Sequence, residues 1–225
     1  MNDQTMENFL SQEELQVAPA APADPKAPAG TPQPPKAPGN LVPGNPMDAG
    51  FVVCVPGENG KKKYTCNIDF FVGNAEPFFN LVHTLYCAEE GDEVTINLYS
   101  YGGSVETGCM IINAMKNTKA TVRTVALGMC ASIAAMIWAC GQIREVADCA
   151  TLMFHMPSGF LWGKTADNEE ESRQIQEYFA EFMKTVAGDI LTADEFTKII
   201  DRRIDLFIPA DTIKTRLAAK GGEQK

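Results

Sequence analysis

The chain has 225 residues, 45% of them hydrophobic and 21% charged, with a formal net charge of −10 at pH 7. That length and apolar content suit one folded domain with a tail. The acid excess excludes a nucleic-acid binder that works through a basic face, and a protein held by charge on anionic lipid. The composition is uneven: ten of the 14 prolines lie between Pro19 and Pro46, and six acidic residues against two lysines place −4 of the charge in residues 1–50.

Residues 1–48 offer almost no bulky apolar side chain before Leu41 beyond Phe9, Leu10 and Leu15. Such a Pro/Ala-rich segment has too little apolar area to offset its ordering entropy, so it reads as a disordered arm. Ser11-Gln-Glu-Glu14 has the form of a capping box and allows a transient helix within it. The N-terminus lacks the apolar core of a signal peptide. The longest apolar run, Val125 to Cys140, is shorter than a bilayer span. A cytoplasmic protein with no membrane partner is the expectation.

The folded domain is expected over residues 49–225. Phe51–Val55 reads as a strand, Gly57–Gly60 as a turn and Lys61–Phe71 as a second extended run. Glu76–Cys87 suits a helix, with Phe78, Phe79, Val82 and Leu85 at helical spacing. Glu93–Tyr99 alternates like a strand and is broken at Gly102-Gly103. Val105–Met115 reads as a helix burying Met110, Ile111 and Met115. Thr121–Leu127 is a β-branched strand, expected to turn at Gly128 into a helix over Ser132–Cys140. Ile143–Val146 and Thr151–His155 are short strands. This alternation of strand and helix implies a largely parallel α/β core.

From Asp167 a helix of about 20 residues is expected. Ile175, Tyr178, Phe179, Phe182, Met183 and Val186 form its apolar stripe, and Asp167 and Glu169–Glu171 crowd its first turn. Thr192-Ala-Asp-Glu195 is a capping box opening a helix to about Arg203. Pro209 opens a last helix, stopped by Gly221-Gly222.

Seven cysteines are present without a C-x-x-C pair, which points to buried reduced thiols and to no metal site. Only two histidines occur. His83 lies on a helix without a surrounding motif and reads as structural. His155, in Met153-Phe-His-Met-Pro157, closes an apolar strand, where α/β sites gather. Ser132, in Gly128-Met-Cys-Ala-Ser132-Ile-Ala-Ala, stands at a strand-to-helix junction. There it serves either as an N-cap or as a nucleophile beside free helix N–H groups. Ser100-Tyr-Gly-Gly103 is either a tight turn or a close backbone approach to a ligand, and no Walker lysine follows it. Asp201 and Asp205 both qualify to orient His155, and at i, i+4 they are expected on one helical face.

These four segments, in this order and spacing, resemble the proteolytic subunit of the ATP-dependent Clp protease over about Val52 to Gly222. The matching residues are Gly102-Gly103, Ala131-Ser132-Ile133-Ala134, His155-Met-Pro157 and Asp205-Leu-Phe207. The resemblance implies a wound α/β unit, related to the crotonase fold, with a helical handle at Asp167–Gly188. It implies a serine endopeptidase without cofactor or metal, with catalytic Ser132, His155 and Asp205 and oxyanion-hole N–H groups from Gly103 and Ile133. It also implies a polypeptide substrate, a homo-oligomer built from heptameric rings around a chamber, and an AAA+ unfoldase as partner. The chain departs from the family at Tyr101, which replaces a turn proline, at Ser104, at Phe160-Leu-Trp162 and in its long arm. It reads as a divergent member of the kind phages encode. The alternatives are a capsid or scaffold maturation protease that needs no unfoldase, and a catalytically silent assembly subunit. An acyl-CoA enzyme of the crotonase type is disfavoured by the Ser/His/Asp order.

Overall fold

The computed structural model describes residues 51–69, 71–157 and 167–221. The arm expected at 1–48, the Phe160–Trp162 segment, the side chains of the acidic turn at Asp167–Glu171 and the stop at Gly222 lie outside the described residues. Within them, seven strands form one sheet: β1 (Val52–Pro56), β2 (Lys62–Ile68), β3 (Glu93–Ser100), β4 (Thr121–Ala131), β5 (Ile143–Val146), β6 (Thr151–Phe154) and β7 (Leu206–Pro209). Six helices accompany them: α1 (Phe79–Cys87), α2 (Val105–Asn117), α3 (Ile133–Ala139), α4 (Asp167–Ala187), α5 (Ala193–Ile200) and α6 (Ala210–Gly221).

The sheet order is β1-β2-β3-β4-β6-β7, with β5 also paired to β4. Strands β2, β3, β4, β5 and β6 pair in parallel, while β1 and β7 join antiparallel. The expected parallel core is therefore present, flanked by antiparallel strands. β4 is long enough to pair with β5 along Arg123–Ala126 and then with β6 along Met129–Ala131.

Burial follows the strand period of two. Val94, Ile96, Leu98 and Ser100 of β3 are buried, as are Val122, Thr124 and Ala126 of β4. They join the core with Phe78, Leu81 and Leu85 from the α1 region, and with Ile111, Ile112 and Met115 of α2. Phe79, expected on the apolar stripe, is 53% exposed, and Met110 is only half-buried. α3 is buried along its whole length, which explains why its sequence has no polar face. Its buried Trp138 donates its indole N–H to the Glu145 carbonyl at 2.9 Å.

Three expectations need correction. β4 does not turn at Gly128 but runs on to Ala131. The glycine makes room for an aromatic cover, since a Cβ there would lie 2.6 Å from Cδ2 of Tyr99. α5 ends at Ile200, and Arg203 takes the left-handed conformation (φ 55°), turning the chain into β7. Asp201 and Asp205 thus do not share a helical face. Pro209 closes β7 rather than opening α6. The thiols also differ from expectation: Cys66 and Cys130 are buried, Cys54, Cys109 and Cys140 half-buried, and Cys87 and Cys149 exposed.

α4 divides its stripe. Phe179, Met183 and Val186 are buried in the core, Ile175 and Phe182 are half-buried, and Tyr178 is 61% exposed. The capping box at Thr192 is formed, and its Glu195 also takes two hydrogen bonds from Arg216 at 2.8 and 2.9 Å. No helix among the described residues is long and apolar enough to cross a membrane.

Candidate active site

Strand register assembles the site. Ala131, the last residue of β4, pairs with Met153 of β6, and the Ser132 N–H donates to the Met153 carbonyl at 2.8 Å. β6 pairs antiparallel with β7, with Phe154 opposite Leu206. Continuing that register by one rung sets His155 opposite Asp205. Ser132 and His155 therefore follow the carboxyl ends of adjacent parallel strands, where open α/β sheets form their clefts.

The side chains meet. Ser132 Oγ lies 2.8 Å from His155 Nε2, and His155 Nδ1 lies 3.6 Å from an Asp205 carboxylate oxygen. Ser132 and His155 are half-buried, whereas the Asp205 side chain is 58% exposed. In the tautomer with the proton on Nδ1, the imidazole faces the carboxylate with a donor and the hydroxyl with an acceptor.

Backbone conformation bears on the capping role open to Ser132. It adopts φ 56°, ψ −128°, and its side chain makes no cap hydrogen bond to α3. A non-glycine residue in such a sparsely populated region costs about 1–3 kcal/mol, and such strain gathers at functional sites. A sharp, strained strand-to-helix turn that exposes a hydroxyl is the geometry of a nucleophile elbow. The flanking positions are filled by the small, fully buried Cys130 and Ala134, so the turn needs no G-x-S-x-G.

Gly102 lies against this turn, and Gly103 lies beside Val72. Gly102 has φ +96°, and a Cβ there would fall 2.7 Å from both the Ala131 carbonyl oxygen and Ser132 Cβ, and 3.2 Å from the Ile133 nitrogen. At Gly103 (φ +147°) a Cβ would fall 2.1 Å from the Val72 carbonyl oxygen. Only glycine fits either position. The chain is pinned by hydrogen bonds from Val72 N–H to the Gly102 carbonyl (2.8 Å) and from Ser104 N–H to the Val72 carbonyl (2.6 Å). Gly102 N–H donates to Ser100 Oγ at 3.1 Å. Ile133 supplies a first-turn N–H of α3, one of the groups a helix leaves without an intrahelical acceptor. Ser104, a departure from the family pattern, caps α2 by accepting from Thr107 N–H at 3.2 Å.

Two residues have a positioning role that the sequence reading did not give them, Ser100 within a segment it singled out and Gly108 outside any. Ser100 shapes the glycine turn through its Oγ. Gly108 of α2 admits the Ile133 side chain, since a Cβ there would lie 2.0 Å from Ile133 Cγ1. A glycine inside an otherwise good helix was the available signal, because it costs about 1 kcal/mol against alanine without a packing reason. Tyr101 is 71% exposed beside the turn. His83 lies on α1, remote in the chain order of elements from this constellation, with its ring against Cys87.

No group of three or more potential metal ligands occurs among the described residues. Burial holds back the chemistry of three thiols, of which Cys130 stands two residues before the serine. Burial raises the Cys130 thiol far above its ordinary value, and pushes Cys66 up to about 12 and Cys140 to about 11. A thiol that keeps its proton at neutral pH is a poor nucleophile.

A family model described as Clp protease matches residues 73–211, more than half of the chain. The ATP-dependent Clp protease proteolytic subunit of Bacteroides thetaiotaomicron is 32% identical over 113 residues, which cover 49% of this chain and 50% of that protein. The match thus spans about half the length of that curated relative. The mixed sheet, the serine at its strand-to-helix junction and the matched span agree, and the chain belongs to the Clp protease family.

Proposed function

We propose that the protein is a serine endopeptidase of the Clp proteolytic type. The observation that carries this reading is the 2.8 Å contact of Ser132 Oγ with His155 Nε2, at a turn where Ser132 is held at φ 56°. A serine hydroxyl is a weak nucleophile until an adjacent base takes its proton. In the proposed reaction Ser132 Oγ attacks the scissile carbonyl carbon and His155 Nε2 accepts the hydroxyl proton. Asp205 orients the ring and favours the imidazolium. The carbonyl π electrons move to oxygen, and the oxyanion accepts hydrogen bonds from the Gly103 and Ile133 N–H groups. Each such donor contributes about 3–4 kcal/mol to the barrier reduction. His155 then gives its proton to the leaving amine nitrogen as the C–N bond breaks. Water, deprotonated by the same nitrogen, hydrolyses the acyl-Ser132 ester and restores the hydroxyl.

The substrate on this reading is an extended polypeptide. Assembly into a closed ring and supply by an ATP-driven unfoldase belong to the same proposal. They rest on family membership and on the apolar residues that α4 leaves half-buried or exposed, Ile175, Tyr178 and Phe182.

A fluorophosphonate probe tests the chemistry. It is expected to label the full-length protein at Ser132, and Ser132→Ala and His155→Ala are each expected to abolish labelling. Labelling that persists in Ser132→Ala, or a folded wild-type protein inert to the probe, refutes the assignment.

A further inference from the structure

The sheet has an open face over its middle strands. Asn67 of β2, Asn97 of β3 and Val125 of β4 share one rung of the parallel ladder. Two residues further along each chain come Asp69, Tyr99 and Leu127. Tyr99 is 52% and Leu127 51% exposed, and with Asn67, Asp69 and Asn97 they line a hollow of about 410 Å³. The Asn97 side-chain amide donates to Asn67 Oδ1 at 2.9 Å along this hollow. Parallel strands are ordinarily covered on both faces. Two large apolar side chains more than half open on β3 and β4 mark a face without a cover among the described residues.

The position of β1 says what covers it. β1 runs antiparallel to β2 with Val52 opposite Cys66, so the chain before Val52 enters the sheet beside Asn67, at the rim of the hollow. Adjacent strands lie about 4.8 Å apart, which puts β4 roughly 14 Å from β1. Val42 stands nine residues before Phe51, and nine extended residues reach about 30 Å. Residues 37–47 carry no charge, and Leu41 and Val42 form an apolar pair within them, followed by Pro43 and Pro46. An uncharged apolar segment thus lies within reach of an apolar patch edged by uncharged amides.

We propose that Leu41–Pro46 fold back across the outward face of the sheet and cover Tyr99 and Leu127 of their own chain. Leu41 and Val42 take the apolar patch, and the prolines lie against the tyrosine ring, as proline-rich segments do in aromatic-lined grooves. The Asn67 and Asn97 amides face the peptide groups of the segment and supply both donor and acceptor. A tethered segment meets its site at an effective concentration in the millimolar range, so contacts too weak to hold a free peptide hold it here. The proposal uses none of Ser132, His155 and Asp205, and it stands or falls apart from the peptidase reading.

Hydroxyl-radical footprinting of the full-length chain, read by peptide mass spectrometry, tests it. In the double variant Leu41→Asp/Val42→Asp, oxidation of Tyr99 and Leu127 is expected to rise at least fivefold over wild type. Tyr86, exposed on α1, is the control and is expected to keep its rate. Tyr99→Ser is the reciprocal variant and is expected to raise oxidation of Leu41 and Val42 at least threefold. Matching circular-dichroism melts verify that the variants remain folded. Protection of Tyr99 in the wild type is expected to persist on dilution. The proposal is overturned if Tyr99 and Leu127 oxidise equally in wild type and double variant, or if Tyr99→Ser leaves Leu41 and Val42 unchanged. It is also overturned if protection disappears on dilution, which would make a second copy the cover.

Discussion

Replacing Asp205 by asparagine removes the charge facing His155 and keeps the side-chain volume. Its carboxylate oxygen lies 3.6 Å from His155 Nδ1, and 58% of its side-chain surface is open to water. Two unit charges at that separation attract by about 1 kcal/mol at the dielectric constant of water and by about 4–5 kcal/mol at an effective value of 20. An open carboxylate is screened and belongs near the lower limit. A loss of about 1–2 kcal/mol in the transition state corresponds to about 5- to 30-fold in rate. This is far below the roughly 10⁴-fold that follows from the same change at a buried triad aspartate. Asp201, at the C-terminal end of α5 and off the β7 register, is the matched control. The assay is the pseudo-first-order rate of fluorophosphonate labelling of Ser132 at neutral pH. Asp205→Asn is expected to slow labelling about 5- to 30-fold and Asp201→Asn less than twofold. The reasoning is refuted if Asp201→Asn slows labelling as much as Asp205→Asn, or if Asp205→Asn costs a thousandfold, which would mean a dry, enclosed carboxylate.

Three further outcomes follow from packing and charge. Gly108→Ala gains about 1 kcal/mol of helix propensity, but its Cβ would sit 2.0 Å from Ile133 Cγ1, inside a fully buried contact. Overpacking costs about 1–3 kcal/mol, so the variant is expected to melt lower than wild type and to label more slowly; an unchanged or higher melting temperature refutes this. Burial alone would raise the carboxyl of Asp92, but N–H donors from Glu89 (3.0 Å) and Lys62 (2.9 Å) outweigh it and hold the group below its ordinary range. Its stabilisation is present above the unfolded-state value of about 3.9 and is lost as pH falls through the lower folded-state value. The stability gap between wild type and Asp92→Asn, read from urea midpoints, is therefore expected to be full at pH 6 and to close toward pH 2; a gap that widens in acid contradicts the sign. Iodoacetamide applied to the native protein is expected to modify Cys87 and Cys149 first and Cys66 and Cys130 only after unfolding, as peptide mass spectrometry would read. Early modification of Cys130 would contradict its burial.

The elements that were legible in the chain are those whose burial is periodic. The helices over α1, α2 and α4 and the strands β3 and β4 all lie where the apolar spacing puts them, to within a few residues. β7 was missed because Leu206–Pro209 is four residues long and the chain turns into it, after α5, at Arg203, a residue that gives no left-handed signal of its own. Gly128 was misread as a turn because a glycine kept small for the Tyr99 ring across the strand looks the same in sequence as a glycine kept for its dihedral freedom. The segments around Ser132 and His155 stood out through residue type, since one of only two histidines closes an apolar strand.

Local pattern thus determined most of the succession of elements, the α/β class and the candidates Ser132 and His155, because period, capping and turn chemistry act over a few neighbouring residues. It left Asp201 and Asp205 equal, and it left Ser132 between cap and nucleophile. Tertiary structure supplies what bears on both. The pairing of Phe154 with Leu206 brings Asp205, not Asp201, to the histidine. The close approach of Gly102 to the Ala131–Ser132 peptide accompanies a serine conformation that makes no cap. Strand register and backbone contact join residues far apart in the chain, and no short-range pattern encodes them.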